Sequence, residues 1–390
     1  MLPCQRHLFD IPDEVAYLNC AYMSPLMRSA AEAASAGLAQ KVHPWELTPD
    51  KFFTGAEEFR AKAAQLIDCP ADGIAIVPSA SYGIATAARN LPIEKGQSIL
   101  VLAEQFPSNY YAWQRLAEQK GASLKIVPRP SDKDREGDKG KNKDSDWTSA
   151  VLSSLAGDVA IAALPHVQWT SGTRLDLVRI GEACRKLGVA LVLDLTQSLG
   201  ALPFSARDVQ PDFAVAASYK WLFGPYSIGL LYVAPKWQSG MPLEQNWIQR
   251  ANAQDFSSLI LYTNDYDTGA RRFDMGERAN FLSLPAAVRG MKQLLEWDVA
   301  QISETIGARN RQLAIAASEL GFSSLPEDLR APHYLCLRRE QAIPKELPEM
   351  LAREKVFVSV RGSSIRVTPH IYNTAEDGER LIACLRHFAA

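Results

Sequence analysis

The 390-residue chain has six cysteines but no CxxC pair and no Cys/His cluster. Neither a metal centre nor a disulfide framework is therefore expected. Cys184 and Cys384 fall in helical patterns and read as small core residues. No apolar run approaches the roughly 20 residues that cross a bilayer. The opening MLPCQRHLFDIPDE is polar and lacks the apolar core of a signal peptide, so the expected location is cytoplasmic. Charge of one sign is missing too, with 42 basic residues against 44 acidic ones. Nucleic acids and anionic membranes call for a basic surface, and neither is expected as a partner.

What the chain does contain is a rhythm of short apolar runs and helical stretches. The runs are IAIV (74–77), SILVLA (98–103), VAIAAL (159–164), VALVLDL (189–195), FAVAA (213–217) and IGLLYV (228–233). Helix-length segments such as 108–121 and 175–188 separate most of them. That alternation predicts an α/β fold whose mostly parallel sheet is covered on both faces. The last two runs lie too close for a crossover helix, so an antiparallel strand is expected there. Residues 130–147 are charged and nearly devoid of apolar side chains, which reads as a solvated surface insertion. After about residue 260 the texture changes, and a smaller α+β lobe is expected, with helical periodicity over 284–320 and a closing helix at the C-terminus. Three units follow: a leading segment (1–30), a large domain (31–262) and a small C-terminal domain (263–390).

In open α/β sheets ligands gather beyond the carboxyl ends of the strands. PSASYG (78–83) follows the first run and opens a helix, where free N–H groups suit a phosphate as well as an ordinary cap. Phe106 follows the second run, and His166, Gln168 and Trp169 follow the third; His166 alone reads as structural. Asp194 ends the fourth run, and a buried carboxylate needs a cation or donors. Lys220 follows the fifth, in AASYKWLFGP. The two residues could form a structural salt bridge. Alternatively the lysine bonds a ligand, and the aspartate pairs with a cationic ring nitrogen. The second arrangement is that of a lysine Schiff base with pyridoxal 5′-phosphate.

With these residues in view, the sequence resembles the class V aminotransferase family of pyridoxal-phosphate enzymes, which also holds cysteine desulfurases, selenocysteine lyases, kynureninases and isopenicillin N epimerases. The likeness runs from YLNCAYMSP (17–25) to IRVTPHIYNTAEDGERL (365–381). It implies fold type I, with a seven-stranded type of large-domain sheet, and a homodimer with cofactor between large and small lobes. By resemblance, Lys220 and Asp194 are the catalytic pair, and Gln197 lies near the cofactor's phenolic oxygen. Ala80, Ser81 and Tyr219 bind its phosphate, and Phe106 covers its ring. Trp169 stands where desulfurases carry an asparagine. Asn280, in FDMGERANF (273–281), is the candidate donor to the neighbouring subunit's phosphate. Arg366 matches the arginine that clamps the substrate carboxylate, where a reading without the family would make it an arginine on an exposed strand. Asn19 and Cys20 lie in the segment that approaches substrate.

These parts imply that an α-amino acid loses its Cα proton to Lys220, as in a class V aminotransferase or a C–S β-lyase. An epimerase is the alternative within the family, and a catalytically silent homologue that binds a partner is the alternative outside it. A dinucleotide-dependent dehydrogenase lacks its GxGxxG fingerprint. Desulfurase chemistry is not expected: by the resemblance, desulfurases carry a mobile loop with a nucleophilic cysteine between two arginines, and here only GSSI separates Arg361 from Arg366.

Overall fold

The computed structural model describes residues 1–130, 146–339, 343–361 and 363–388. The charged insertion expected at 130–147 thus falls almost wholly outside the described residues. The strands, in chain order, begin with β1 (Ala16–Tyr17), β2 (Ile74–Val77), β3 (Ser98–Leu102) and β4 (Ser123–Val127). They continue with β5 (Val159–Pro165), β6 (Ala190–Asp194), β7 (Phe213–Ala217) and β8 (Gly229–Val233). The C-terminal part adds β9 (Leu335–Arg338), β10 (Val356–Phe357), β11 (Ser359–Arg361) and β12 (Ser364–Val367).

Seven strands form the large sheet in the order β2-β8-β7-β6-β5-β3-β4. The expected antiparallel strand is β8, which pairs antiparallel with both β7 and β2. The other pairings in this sheet are parallel. Alternate side chains feed two cores: Ile74 and Ile76 join one, Ala75 and Val77 the other. Such strands are apolar throughout because helices cover both faces. The edge strand β4 has no counterpart among the predicted runs, since Lys125 interrupts it and most of it is not buried.

Helix Ala80–Asn90 starts directly after β2, and the Ser79 hydroxyl accepts a hydrogen bond from the Tyr82 N–H at 3.1 Å. A Cβ on Gly83 would lie 2.6 Å from Val215 Cγ2, so glycine lets this helix settle onto β7. Its N-terminus consequently points to the same end of the sheet as the last residues of β6 and β7.

The stretch predicted as one helical region over 284–320 is two helices, Ser283–Trp297 and Val299–Ser318. They break at Asp298, whose φ is +65° and whose carboxylate caps the Ala300 N–H at 2.9 Å. The first of them does not belong to the small lobe: Leu284, Met291 and Leu294 are buried in the large-sheet core. Its apolar stripe is wide enough to be read as core, but sequence alone does not say whose core. The leading segment is shared: β1 runs parallel to β10 and Leu18 packs among Leu335, Val367 and Leu381 in the small lobe, while Phe9 and Met27 are buried in the large-sheet core. β9, β12 and β11 form the antiparallel sheet there, and helix Ala375–Arg386 closes the chain behind a Thr374/Asp377 capping box. No described helix is long and apolar enough to cross a membrane.

Candidate active site

Lys220 sits in the loop between β7 and β8 and is only 6% exposed. That loop is tightly tied: the Ser218 N–H donates to Ile228 O at 3.0 Å, and the Gly224 N–H to Ser218 O at 2.9 Å. A Cβ at Gly224 would fall 2.5 Å from the Ser218 hydroxyl, which leaves glycine the fitting residue. Phe223 and Ser227 adopt left-handed backbone, with φ of +52° and +66°. The amine stands 5.6 Å from the Phe106 ring centre and 5.4 Å from that of Tyr219. Among the described residues no carboxylate ion-pairs with it within 4.0 Å. Burial pushes its pKa down to about 8; the charge of Asp194 opposes that fall, and the charge of Arg366 adds to it.

Asp194 ends β6, and Oδ1 accepts the Thr196 N–H at 2.9 Å. Burial pushes its carboxyl up, while the Thr196 hydrogen bonds and the Lys220 charge pull it down. The direct salt bridge allowed by the sequence is not formed. Instead both residues line one cavity of about 420 Å³.

Ser79, Ala80 and Ser81 line the same cavity at the start of helix Ala80–Asn90. The chamber thus combines an amine, an isolated acid and a helix N-terminus, and its volume accommodates a substituted pyridine bearing a phosphate. The residues present fit pyridoxal phosphate. Asp194 would face the ring nitrogen, Phe106 a ring face, Ser79–Ser81 the phosphate and Lys220 the aldehyde carbon.

A second cavity of about 440 Å³ shares Phe106, Trp169, Gln197, Tyr219, Lys220 and Tyr226 with the first. It adds Ala21, Tyr22 and Met23 from the leading segment, and Arg361 and Arg366 from the small lobe. Arg366 is only 2% exposed, so it is not on an exposed strand. Its Nη1 donates to Trp169 O at 3.0 Å and to the Tyr334 hydroxyl at 3.2 Å, while its buried Nε has no protein partner. A buried guanidinium with a donor left over is suited to a carboxylate.

Gln197 lines both cavities, yet its amide is already engaged at both ends. Nε2 donates to Ala21 O at 3.2 Å, and Oε1 accepts from Trp221 Nε1 at 3.2 Å. His333 Nε2 donates to the Gln197 carbonyl at 2.7 Å. This residue therefore ties the leading segment to the loop that carries Lys220. Trp169 donates from Nε1 to Glu104 O at 2.7 Å and meets Phe106 edge-on at 5.5 Å. His166 is buried against Phe204, and burial pushes its pKa down to about 3.

Three residues expected at the site are not brought to either cavity. Asn19 accepts from the Ser359 hydroxyl at 2.8 Å and joins the segment to the small lobe. Cys20 is fully buried with Sγ 3.8 Å from Lys220 O, and burial pushes its thiol up, away from the nucleophilic thiolate. Asn280 caps a helix of its own chain, with Oδ1 accepting the N–H groups of Leu282 at 3.1 Å and Ser283 at 2.8 Å. It lines a separate cleft with Phe52, Trp247 and Phe281. Sequence reasoning missed Thr196, Tyr226 and Ser227, although each lies within seven residues of Asp194 or Lys220 in the chain. Tyr22, Met23 and Arg361 were not singled out as site residues either, although the first two lie in the YLNCAYMSP segment and Arg361 flanks GSSI.

The class-V aminotransferase profile matches residues 39–381. The chain belongs to the class V aminotransferase family. As a class V member it is a pyridoxal-phosphate enzyme of aminotransferase or lyase type, with the type I fold. It is 25% identical over 341 residues to an uncharacterized aminotransferase, YcbU, of Bacillus subtilis, spanning 82% of this chain and 80% of that protein. It is 25% identical over 376 residues to a kynureninase of Bacillus cereus, spanning 93% and 82%. Among solved structures, the cystine C–S lyase C-DES in complex with cysteine persulfide superposes with a TM-score of 0.82 at 18% identity, covering 97% of this chain and 99% of that one. A cysteine desulfurase from Thermococcus onnurineus gives 0.80 at 16%, covering 100% and 99%. These structural likenesses concern the fold.

Proposed function

We propose that this class V enzyme is an α-amino-acid β-lyase in which Lys220 removes the Cα proton and a β-substituent then departs. The observation that carries this reading is the position of Lys220 in the wall shared by the two cavities, one suited to the cofactor and one to the substrate. When bound, pyridoxal phosphate supplies an electron sink for the negative charge left at Cα. Arg366 holds the α-carboxylate and so fixes which bond of Cα faces the lysine. Asp194, shielded from water, would hold the proton on the ring nitrogen. The Lys220 amine, lowered by burial to about 8, has a free base at working pH. Having taken the proton, the same side chain still faces the substrate side and can deliver it to the leaving group. No thiol, histidine or carboxylate lines that side among the described residues, which argues against an enzyme-bound persulfide.

Likeness to an uncharacterized aminotransferase supports a second branch, transamination, in which Lys220 would still take the Cα proton and the bound cofactor would supply the amino-group acceptor. One assay separates the branches. Incubation of the holoenzyme with an S-substituted L-cysteine should release the free thiol, pyruvate and ammonia in equal amounts. Keto acid that retains the sulfur substituent, formed without thiol, would instead establish transamination.

The active form is proposed to be a homodimer. Ile260, Leu261 and Tyr262 are 81%, 67% and 98% exposed, and the aromatic cleft that contains Asn280 adjoins them through Phe256, 5.6 Å from Phe52. Apolar exposure on that scale suits a second copy, and Asn280 is placed at that contact in the proposal. A fully active monomer in sedimentation would refute it.

A further inference from the structure

The substrate-side cavity holds more positive charge than one amino acid requires. Lys220, Arg361 and Arg366 all line it, and no acidic side chain does. Among the described residues none of the three has an ion-pair partner within 4.0 Å. Arg366 suffices for one α-carboxylate. Arg361 remains, with one recorded hydrogen bond from Nη1 to its neighbour's carbonyl, Val360 O, at 2.8 Å.

Strand register explains how the two guanidinium groups come to share the cavity. In the β11–β12 hairpin Ser359 pairs with Arg366 and Arg361 with Ser364. Directly paired residues project from one face, as do alternate residues on a strand. Arg361 and Arg366 are thus diagonal neighbours on the same face, with backbone positions roughly 7–8 Å apart. Arg361 is exposed, and both desolvation and the nearby Arg366 charge push its guanidinium down, so an anion beside it relieves a repulsion already present.

We infer that Arg361 selects α-amino acids carrying a second anionic group on the side chain, with Arg366 on the α-carboxylate and Arg361 on the distal acid. Tyr22, Tyr219 and Tyr226 line the same cavity and give it apolar wall suited to a short linker. This inference rests on the proposed role of Arg366 as carboxylate clamp and names the substrate class of that site.

Two ligands of the same shape test it: S-carboxymethyl-L-cysteine, which carries the second carboxylate, and S-carbamoylmethyl-L-cysteine, its neutral amide. Binding to the pyridoxal-phosphate holoenzyme is titrated through the change in cofactor absorbance. The wild type should bind the acid roughly 2- to 5-fold more tightly than the amide, the range expected for an ion pair open to solvent. Arg361→Gln should erase most of that preference by weakening the acid alone, and Arg361→Lys should retain part of it. Equal affinities in the wild type, equal weakening of both ligands by Arg361→Gln, or failure of both to bind would overturn the inference. Pyruvate is scored separately. Charge preference without pyruvate would refute the β-lyase reading and leave this one standing, and pyruvate from both ligands without preference would do the reverse.

Discussion

Asp194 and Lys220 stand at the carboxyl ends of neighbouring parallel strands and face one cavity, yet no ion pair or hydrogen bond joins them. Asp194 closes β6 opposite Val215, and Lys220 follows the end of β7 by three residues. A buried acid and a buried amine held apart are each costly without a further partner. A cationic ring between them would satisfy the acid, and a covalent bond would neutralise the amine.

Replacing the acid tests half of that relationship. Asp194→Asn keeps the shape and the Thr196 contact side, so cofactor should remain bound. The rate should fall by a factor on the order of 100–1000, the usual loss when a preorganised charge is removed from a shielded site. Steady-state kinetics with a matched cofactor-content measurement checks this. Near-normal turnover would make Asp194 a structural residue.

The pH dependence of cofactor capture reads the amine. Only the unprotonated lysine attacks an aldehyde, so the capture rate of the apoprotein should rise with pH through a midpoint near 8, well below the ordinary lysine value. Asp194 raises that pKa and Arg366 lowers it. Asp194→Asn should therefore move the midpoint down, and Arg366→Gln should move it up. Stopped-flow mixing with pyridoxal phosphate supplies the measurement.

Three buried histidines give the fold an acid limit. Burial pushes His166 down to about 3 and His333 to about 4, and His370 falls well below its ordinary value. With folded values depressed, the unfolded chain binds protons that the fold excludes. Stability is thus lost as pH falls below about 6.5. At pH 5 the His166 and His333 rings each cost about 2 kcal/mol relative to neutral pH, and His370 acts in the same direction. Urea midpoints at pH 7 and pH 5 should show the loss, and His166→Gln should reduce its slope.

Much of this was legible in the sequence, because parallel strands buried on both faces must be apolar and their polar end residues stand out. Asp194 and Lys220 were found that way, and so was the helix start at Ala80. β4 was not, since an edge strand with Lys125 half in solvent carries no such run. Arg361 was hidden for a different reason. Its partnership with Arg366 depends on hairpin register and on the small lobe closing over a cavity built by distant strands. Asn19 and Cys20 show the converse limit: Ala21, one residue further along and in the same core cluster as Cys20, lines the cavity, and Cys20 does not.

Sulfur chemistry gives a further check. Cys20→Ser should leave thiol and pyruvate release within about twofold of wild type, because a buried, protonated thiol does not reach substrate. Alanine formed from cysteine by wild type but not by the variant would reverse the argument against a persulfide.

The most direct test of the account is the absorbance spectrum of Lys220→Ala reconstituted with pyridoxal phosphate. The variant should lack the long-wavelength band of lysine-bound cofactor and show no exchange of the substrate Cα proton with solvent deuterium. A wild-type spectrum, or exchange at the wild-type rate, would show that Lys220 is neither the cofactor's anchor nor the base.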